Sequence, residues 1–160
     1  MDVQKEIILK ELKEKFDETK KSLKFKSGYE EINSICYLDD FILATGFVSN
    51  HFSRQMINRL LDTFSSWVSE LHSWIFPQSY DLIHTNEAKV LSPQDRKEIL
   101  NMIDRLMYLL RKNKRIAFDN LKGEGEFLDE LVNFNKTHFN SFALKYNLKL
   151  EEFWKKELSN

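Results

Sequence analysis

Residues 52–76, FSRQMINRLLDTFSSWVSELHSWIF, carry the clearest periodic signal in this chain of 160 residues. Apolar side chains recur at alternating offsets of four and three, which is typical of a helix that packs along its whole length. The resulting seam consists of Ile57, Leu61, Phe64, Val68, Leu71 and Ile75. Pro77 follows directly and ends the pattern, so this stretch predicts one long helix.

A second apolar stripe runs beside this seam. A helix at the surface of a monomer normally buries one stripe and presents a charged back to solvent. The helix is therefore either central, covered on all sides by its own chain, or in contact with a second copy of the chain. We expect a homodimer, because Trp is enriched at interface hot spots. The predicted interface consists of Met56, Leu60, Trp67 and Trp74.

The sequence before this helix also favours helices. Amphipathic spacing predicts a helix over residues 3–24, and the residues Lys26-Ser27-Gly28 break it. Residues 30–50 are apolar on nearly every face, which favours helix in one or two pieces. Two segments within that region, SICYL and FILATGFV, also suit short strands.

The sequence after Pro77 predicts a connection and then further helices. Residues 77–92 form the connection, with room for one helical turn. Ser92-Pro93-Gln94-Asp95 combines an N-cap serine, proline at the first helical position and an acid in the first turn, so a helix starts there and continues to residue 118. Another helix is predicted over 127–146, and Asn147 is expected to separate it from a short last helix.

Glycine and proline are scarce in this composition, with four and two residues. A β-sandwich or a nucleotide-binding α/β fold needs more turn residues than that. The contents of 42% apolar and 31% charged residues are those of a globular protein. The sequence predicts an all-α fold, a single domain over 1–160 that forms an elongated up-and-down bundle of about five long or medium helices plus a short C-terminal helix.

Charge and cysteine content define the expected setting. With 24 basic and 25 acidic residues, the net charge of −1 provides no overall field that would attract nucleic acid or an anionic membrane. Cys36 is the single cysteine, which favours a reducing compartment. The charged N-terminus has no apolar signal core, and residues 41–80 contain too many charges for a membrane span. We expect a cytoplasmic protein with no membrane association.

The segment Tyr37-Leu38-Asp39-Asp40 resembles the catalytic hairpin of a reverse transcriptase in four letters. A polymerase palm needs a third carboxylate on an upstream strand, and only a Lys/Glu-rich predicted helix precedes Tyr37. The similarity is therefore interpreted as coincidence. We expect Asp39 or Asp40 to cap a helix or to pair with an arginine, Arg54 or Arg59.

Histidine and acidic residues offer one candidate metal cluster. Asp81, His84 and Glu87 stand at offsets of three and would share one side of a helix. Acids are frequent in this chain, and no HExxH, repeated ExxH or paired cysteine motif is present. We therefore predict a surface role for these residues and no metal or other cofactor.

Two further polar residues lie within predicted apolar stripes. Glu70 stands between Trp67 and Trp74, and His138 stands between Phe134 and Phe142. If these stripes are buried, each polar side chain needs a partner. We therefore expect a buried polar site at Glu70 and His138; candidate partners of Glu70 are Arg59, Arg105 and His138.

A basic run near the end of the predicted 93–118 helix suggests two roles. Its cations, Arg111, Lys112, Lys114 and Arg115, complement the negative end of a helix dipole. They would also suit phosphate contacts in a nucleic-acid-binding protein, although no nucleic-acid-binding motif accompanies them.

No sequence pattern of a common enzyme class is present, since a glycine-rich phosphate loop, GxSxG and a Cys-His pair are all missing. The leading prediction is a helix-mediated interaction protein that associates with itself or with a protein partner. The alternatives are a nucleic-acid accessory protein that uses Arg111 to Arg115, and an enzyme with a carboxylate–histidine site. Convergence of Glu70, Asp81, Glu87 and the histidines in one cleft would favour the enzyme.

Overall fold

The computed structural model describes residues 3–159, and within that range every regular element is helical, which confirms the predicted all-α class. The α-helices are α1 (Val3–Leu23), α2 (Tyr29–Cys36), α3 (Leu38–Thr45), α4 (Phe52–Ile75), α5 (Leu82–Ala88), α6 (Pro93–Phe118), α7 (Glu124–Phe134) and α8 (Asn140–Glu157). A π-helical segment, Asn135–Phe139, joins α7 to α8. No helix among residues 3–159 combines the length and the apolar character needed to cross a bilayer.

The chain forms two compact units, each assembled from separate stretches of sequence. The first unit comprises Met1–Thr63 and Lys112–Asn133, and the second comprises Phe64–Arg111 and Phe134–Asn160. The prediction of a single domain over 1–160 stays a prediction.

The core of the first unit is built around α1, α2 and α3. Phe16 of α1 packs edge-on against Phe25 and Tyr29, with ring centroids 5.6 and 5.2 Å apart. Lys24 adopts a left-handed conformation with φ of 56°, so α1 ends there as the Lys26-Ser27-Gly28 break predicts. Asp129 stabilises the turn that follows. Its carboxylate accepts hydrogen bonds from the backbone N–H groups of Lys26 and Ser27 and from the Ser27 hydroxyl.

A close approach joins the start of α7 to the end of α1 in the same unit. A Cβ atom on Gly125 would lie 2.4 Å from the carbonyl oxygen of Leu23, so only glycine fits. Nearby, the buried Glu124 carboxylate accepts a hydrogen bond from the Ser53 hydroxyl and pairs with Arg54 at 3.4 Å. This buried acid therefore has a cationic partner within its own unit.

The region 30–50 contains two short helices and no strand, and Tyr37 separates them. Tyr37 has φ of 51°, a left-handed conformation that ends α2 and begins α3. Asp39 accepts hydrogen bonds from the Tyr29 hydroxyl and from the Asn33 amide, at 3.0 Å in the second case. Asp39 thus holds two helices together, Asp40 is exposed, and the YLDD segment lies at a helix–helix junction instead of on a hairpin.

In the second unit, α6 begins where the sequence predicts it. Ser92 and Asp95 form reciprocal hydrogen bonds, from Ser92 N–H to the Asp95 carboxylate at 2.8 Å and from Asp95 N–H to the Ser92 hydroxyl at 3.1 Å. The predicted break at Asn147 is wrong. Its side-chain amide donates to the carbonyl of Ala143, one turn earlier, at 2.8 Å, and α8 continues to Glu157.

The second apolar stripe of α4 is largely buried by the chain itself. Met56 and Leu60 are fully buried and Trp74 is 1% exposed, while Trp67 is partly exposed. Three of the four predicted interface residues are therefore inaccessible to a second copy. For these three residues the burial agrees with the central-helix explanation.

Candidate functional site

The second unit brings Glu70, Asp81, His84 and Glu87 together where α4 ends and α5 begins, and His84 is the one histidine of residues 3–159 in this group. Pro77 follows α4 and prevents its continuation, and the chain turns before α5. Asp81 is the N-cap of α5, because its Oδ1 accepts the backbone N–H of His84 at 3.1 Å. The cap places Asp81 and His84 side by side at the start of this helix.

Glu87 is the buried acid of the site, with 8% of its surface exposed. Its Oε2 accepts the indole N–H of Trp74 at 3.1 Å, and its Oε1 accepts that of Trp154 at 2.8 Å. Both donors are neutral, and among residues 3–159 no lysine or arginine forms an ion pair with this carboxylate. A buried carboxylate without a cation is costly, in contrast to Glu124 with its arginine.

His84 lies between two acids. Its Nδ1 is 2.5 Å from Oδ2 of Asp81, and its Nε2 is 3.4 Å from Oε2 of Glu70. When the His84 ring is neutral and its Nδ1–H donates to Asp81, Nε2 carries the lone pair. This nitrogen faces Glu70. Asp81 therefore selects the tautomer that offers Nε2 to a ligand.

The pKa values of His84 and Asp81 reflect the two acids that lie beside the His84 ring. Burial lowers the pKa of His84, but the hydrogen bond with Asp81 and the charges of Glu70 and Asp81 raise it by more, so the net shift is upward. The hydrogen bonds with His84 hold the pKa of Asp81 below its ordinary value. The environment thus favours a positive charge at this point.

Glu70, His84 and Glu87 form the candidate ligand set, which we call the EHE cluster. One ligand atom from each residue lies within 4.8 Å of the other two. Ligand atoms around a tetrahedral zinc ion at about 2.0–2.2 Å are themselves about 3.3–3.6 Å apart. The distance of 3.4 Å from His84 Nε2 to Glu70 Oε2 already matches this spacing. The longest distance between two ligand atoms of the cluster, at most 4.8 Å, would have to shorten by about 1 Å.

A surface cavity of about 320 Å³ lies directly against the cluster. Glu70 belongs to both, and Trp74 lines the cavity while donating to Glu87. The lining consists of Ser66, Trp67, Glu70, Trp74 and Asn147. Glu70 is therefore the ligand residue that borders the open space, whereas His84 and Glu87 are not part of the lining.

The structure does not bury Glu70 or His138, the two residues of the predicted buried polar site. Glu70 has a side chain that is 47% exposed, and its nearest histidine is His84. His138 is exposed because it falls in the π-helical segment, where the N–H of Asn140 bonds to the carbonyl of Asn135, five residues back. The extra residue in this turn places Phe139 in the core and turns His138 outward.

The basic run is partly neutralised by neighbouring acids. Lys112 pairs with Glu130 at 2.5 Å, and Arg115 pairs with Asp119 at 3.7 Å. Arg111 and Lys114 are exposed. Nucleic-acid binding by this run stays a prediction, as does self-association, which would need a surface other than the buried residues of α4.

Spacing placed Asp81, His84 and Glu87 in one candidate cluster, but the surface role predicted for them is wrong for Glu87, and the two tryptophans that hold Glu87 were missed. One signal was available: a buried indole N–H usually requires an acceptor, and Trp74 lies in an apolar stripe. Trp154, far along the chain, had no local pattern that connects it to α5.

Comparisons with protein-family models, with curated proteins and with solved structures find no match for this chain. Function is therefore inferred from the chemistry and the geometry of the EHE cluster.

Proposed function

We propose that this protein binds one divalent transition-metal ion through Glu70, His84 Nε2 and Glu87, and that the metal centre is its functional site. The observation that supports this most directly is the buried Glu87 carboxylate, which has two neutral hydrogen-bond donors and no lysine or arginine partner among the described residues. A divalent cation would compensate this charge.

Charge balance supports a divalent ion over a monovalent one. Glu70 and Glu87 supply two negative charges to the ligand set, and a neutral imidazole supplies the third donor. Asp81 adds a further carboxylate behind His84, at 2.5 Å from Nδ1. Such a carboxylate–histidine pair behind a metal ligand fixes the ring orientation and increases ligand basicity.

The donor types favour zinc or a similar borderline ion. Imidazole nitrogen suits zinc, iron, nickel and copper, whereas calcium and magnesium prefer oxygen ligands throughout. A structural zinc site normally closes four protein ligands around the ion, while a catalytic site keeps a position open. Three protein ligands, of which Glu70 lines a cavity of about 320 Å³, correspond to the open type.

The enzyme with a carboxylate–histidine site, an alternative at the sequence level, is therefore the function that we favour. A bound ion would supply Lewis-acid chemistry and would acidify a coordinated water molecule. The protein's part is to hold the three ligands, to orient His84 through Asp81, and to keep Glu87 in place through the indoles of Trp74 and Trp154.

Metal titration of chelator-treated protein tests this proposal. We expect one Zn²⁺ per chain by calorimetry, and thermal stabilisation equivalent to about 2.7 kcal/mol when free zinc is 100 times the dissociation constant. Co²⁺ should produce visible absorption bands and quench tryptophan fluorescence, because two indoles contact a ligand carboxylate.

Ligand variants and matched controls identify the site. His84→Asn and Glu87→Gln should each weaken zinc binding by at least about 100-fold, the upper range seen for outer-shell changes. His138→Asn and Glu151→Gln alter an exposed histidine and an exposed acid, and they should leave binding unchanged. Absence of stoichiometric binding at micromolar zinc, or equal losses in the control variants, would refute the proposal.

A further inference from the structure

The cavity beside the EHE cluster has two aromatic walls. Trp67 and Trp74 lie with ring centroids 6.3 Å apart and planes at 82°, so their indoles form a corner. Trp74 is buried, whereas Trp67 is partly exposed and lines the cavity. A partly exposed indole beside an open cavity offers a surface on which a flat ring can pack.

Trp67 is held in place by the π-helical segment. Phe139, the last residue of that segment, packs edge-on against Trp67 at 5.6 Å between centroids and against Phe64 at 5.0 Å. An α-helical turn in place of the π turn would direct a different residue to this position. Single π turns inside helices occur frequently at functional sites, which is consistent with a pre-formed wall here.

The cavity volume limits the size of a ligand. An apolar cavity of about 150 Å³ holds a benzene molecule in a protein interior. The 320 Å³ available here accommodates one ring with a short polar substituent and is at the lower end of small-molecule pockets.

Polar groups at the edge of the cavity indicate which polar substituent a bound ring would carry. Glu70 links the cavity to the metal ligands, so a group bound beside Glu70 can reach the ion. Asn147 uses its amide N–H₂ on the carbonyl of Ala143, and its amide oxygen accepts no hydrogen bond among residues 3–159. With a divalent ion in place, an oxygen donor that is neutral or carries one negative charge completes the coordination.

From these four observations we infer that the EHE metal centre takes a monocyclic aromatic ligand that coordinates the ion through an oxygen-donor group while its ring packs on Trp67. This inference rests on the proposed metal site and adds the class of ligand. The indole of Trp67 selects for aromatic compounds, and the ion selects for oxygen donors.

Hydroxamates of matched chemistry test the inference. Benzohydroxamate and acetohydroxamate carry the same metal-binding group, and only the first carries a ring. In zinc-loaded protein we expect benzohydroxamate to bind about tenfold more tightly, the preference that aromatic packing typically provides. Trp67→Ala should abolish the preference while leaving zinc affinity within about twofold, because Trp67 is outside the ligand set. Phe118→Ala, at a side chain that is 92% exposed, is the aromatic control and should retain both properties.

Different results would overturn the ligand class and the metal centre. Equal affinities for the two hydroxamates in a protein that binds zinc would overturn the ligand inference alone, as would a preference retained in Trp67→Ala. Failure to bind zinc in the calorimetric titration would overturn the proposed metal centre and the inference with it. Trp67→Leu provides a second variant of the same wall should the alanine variant not fold, with the same expected loss of preference.

Discussion

At the scale of single residues, Asp81 has two functions that the structure separates. Its Oδ1 caps α5 through the backbone N–H of His84, and its Oδ2 accepts from the His84 ring. An asparagine can perform the capping as well as an aspartate. It cannot supply the negative charge that orients and polarises the imidazole. Asp81 is thus a positioning residue whose role is testable without disturbing the helix.

We predict that Asp81→Asn weakens zinc binding by about 10–100-fold, the range typical of outer-shell partners of metal-bound histidine. The helical circular dichroism should not change, because the cap is retained. The measurement is calorimetric titration at neutral pH. Asp104→Asn, at an exposed acid of α6, is the control and should bind zinc as the wild type does. A wild-type affinity in Asp81→Asn would show that the Asp81–His84 contact has no part in metal binding.

At the scale of secondary-structure elements, the turn between α1 and α2 depends on an acid that is distant in sequence. Asp129 of α7 accepts four hydrogen bonds from Lys26 and Ser27. The two hydrogen bonds from Ser27 are partly buried. Burial raises the pKa of Asp129, and the hydrogen bonds from Ser27 and Lys26 lower it by more. The net pKa lies below the ordinary value, so the folded state favours the ionised form.

The direction of this shift predicts an acid-dependent loss of stability. A carboxyl group with a depressed pKa in the folded state stabilises the protein fully above its unfolded pKa of about 3.9. That contribution is lost as the pH falls through the lower, folded-state pKa. We expect Asp129→Asn to lower the free energy of unfolding by about 1–2 kcal/mol at pH 7.

Urea denaturation at pH 7 and at pH 3 measures this prediction. The difference between wild type and Asp129→Asn should shrink at the lower pH, because pH 3 lies below the unfolded pKa of about 3.9 and part of the stabilisation by the ionised carboxyl is then lost. Asp17→Asn, at an exposed acid of α1, should follow the wild type at both values. A difference that is the same at pH 7 and pH 3 would contradict the ionic origin of the effect.

At the scale of the whole molecule, the burial of α4 changes the interpretation of its apolar surface. Met56 and Leu60 are fully buried and Trp74 nearly so. Truncating such residues removes packing inside one chain and leaves a cavity. Their loss should therefore appear as instability, and a change of association state is not expected from them.

We predict that Leu60→Ala lowers the free energy of unfolding by about 2–5 kcal/mol. Its molar mass by light scattering should equal that of the wild type at the same concentration. Leu144→Ala, at a leucine that is 61% exposed, should change stability by no more than about 0.5 kcal/mol. A Leu60→Ala protein of wild-type stability and half the wild-type mass would restore the interface hypothesis.

Local sequence was sufficient for the all-α class, for the start of α6 at Pro93 and for the end of α4 before Pro77. These features depend on backbone hydrogen bonds and caps between residues that are neighbours in the chain. It was insufficient at His138, because an α-helical period was applied to a turn that is π-helical. The pattern does not encode that one-residue change of register, which arises where Phe139 instead of His138 enters the core.

The candidate site shows the same division. Spacing alone placed Asp81, His84 and Glu87 on one side of a short helix, because all three belong to one local segment. The tertiary structure added Glu70 from α4 and Trp154 from α8, whose distances in sequence from Glu87 are 17 and 67 residues. Contacts over such separations depend on how helices pack, and helix packing is decided by side-chain fit across the whole core. Sequence periodicity therefore determined the long helices α1, α4 and α6, and packing decided which of their polar side chains meet.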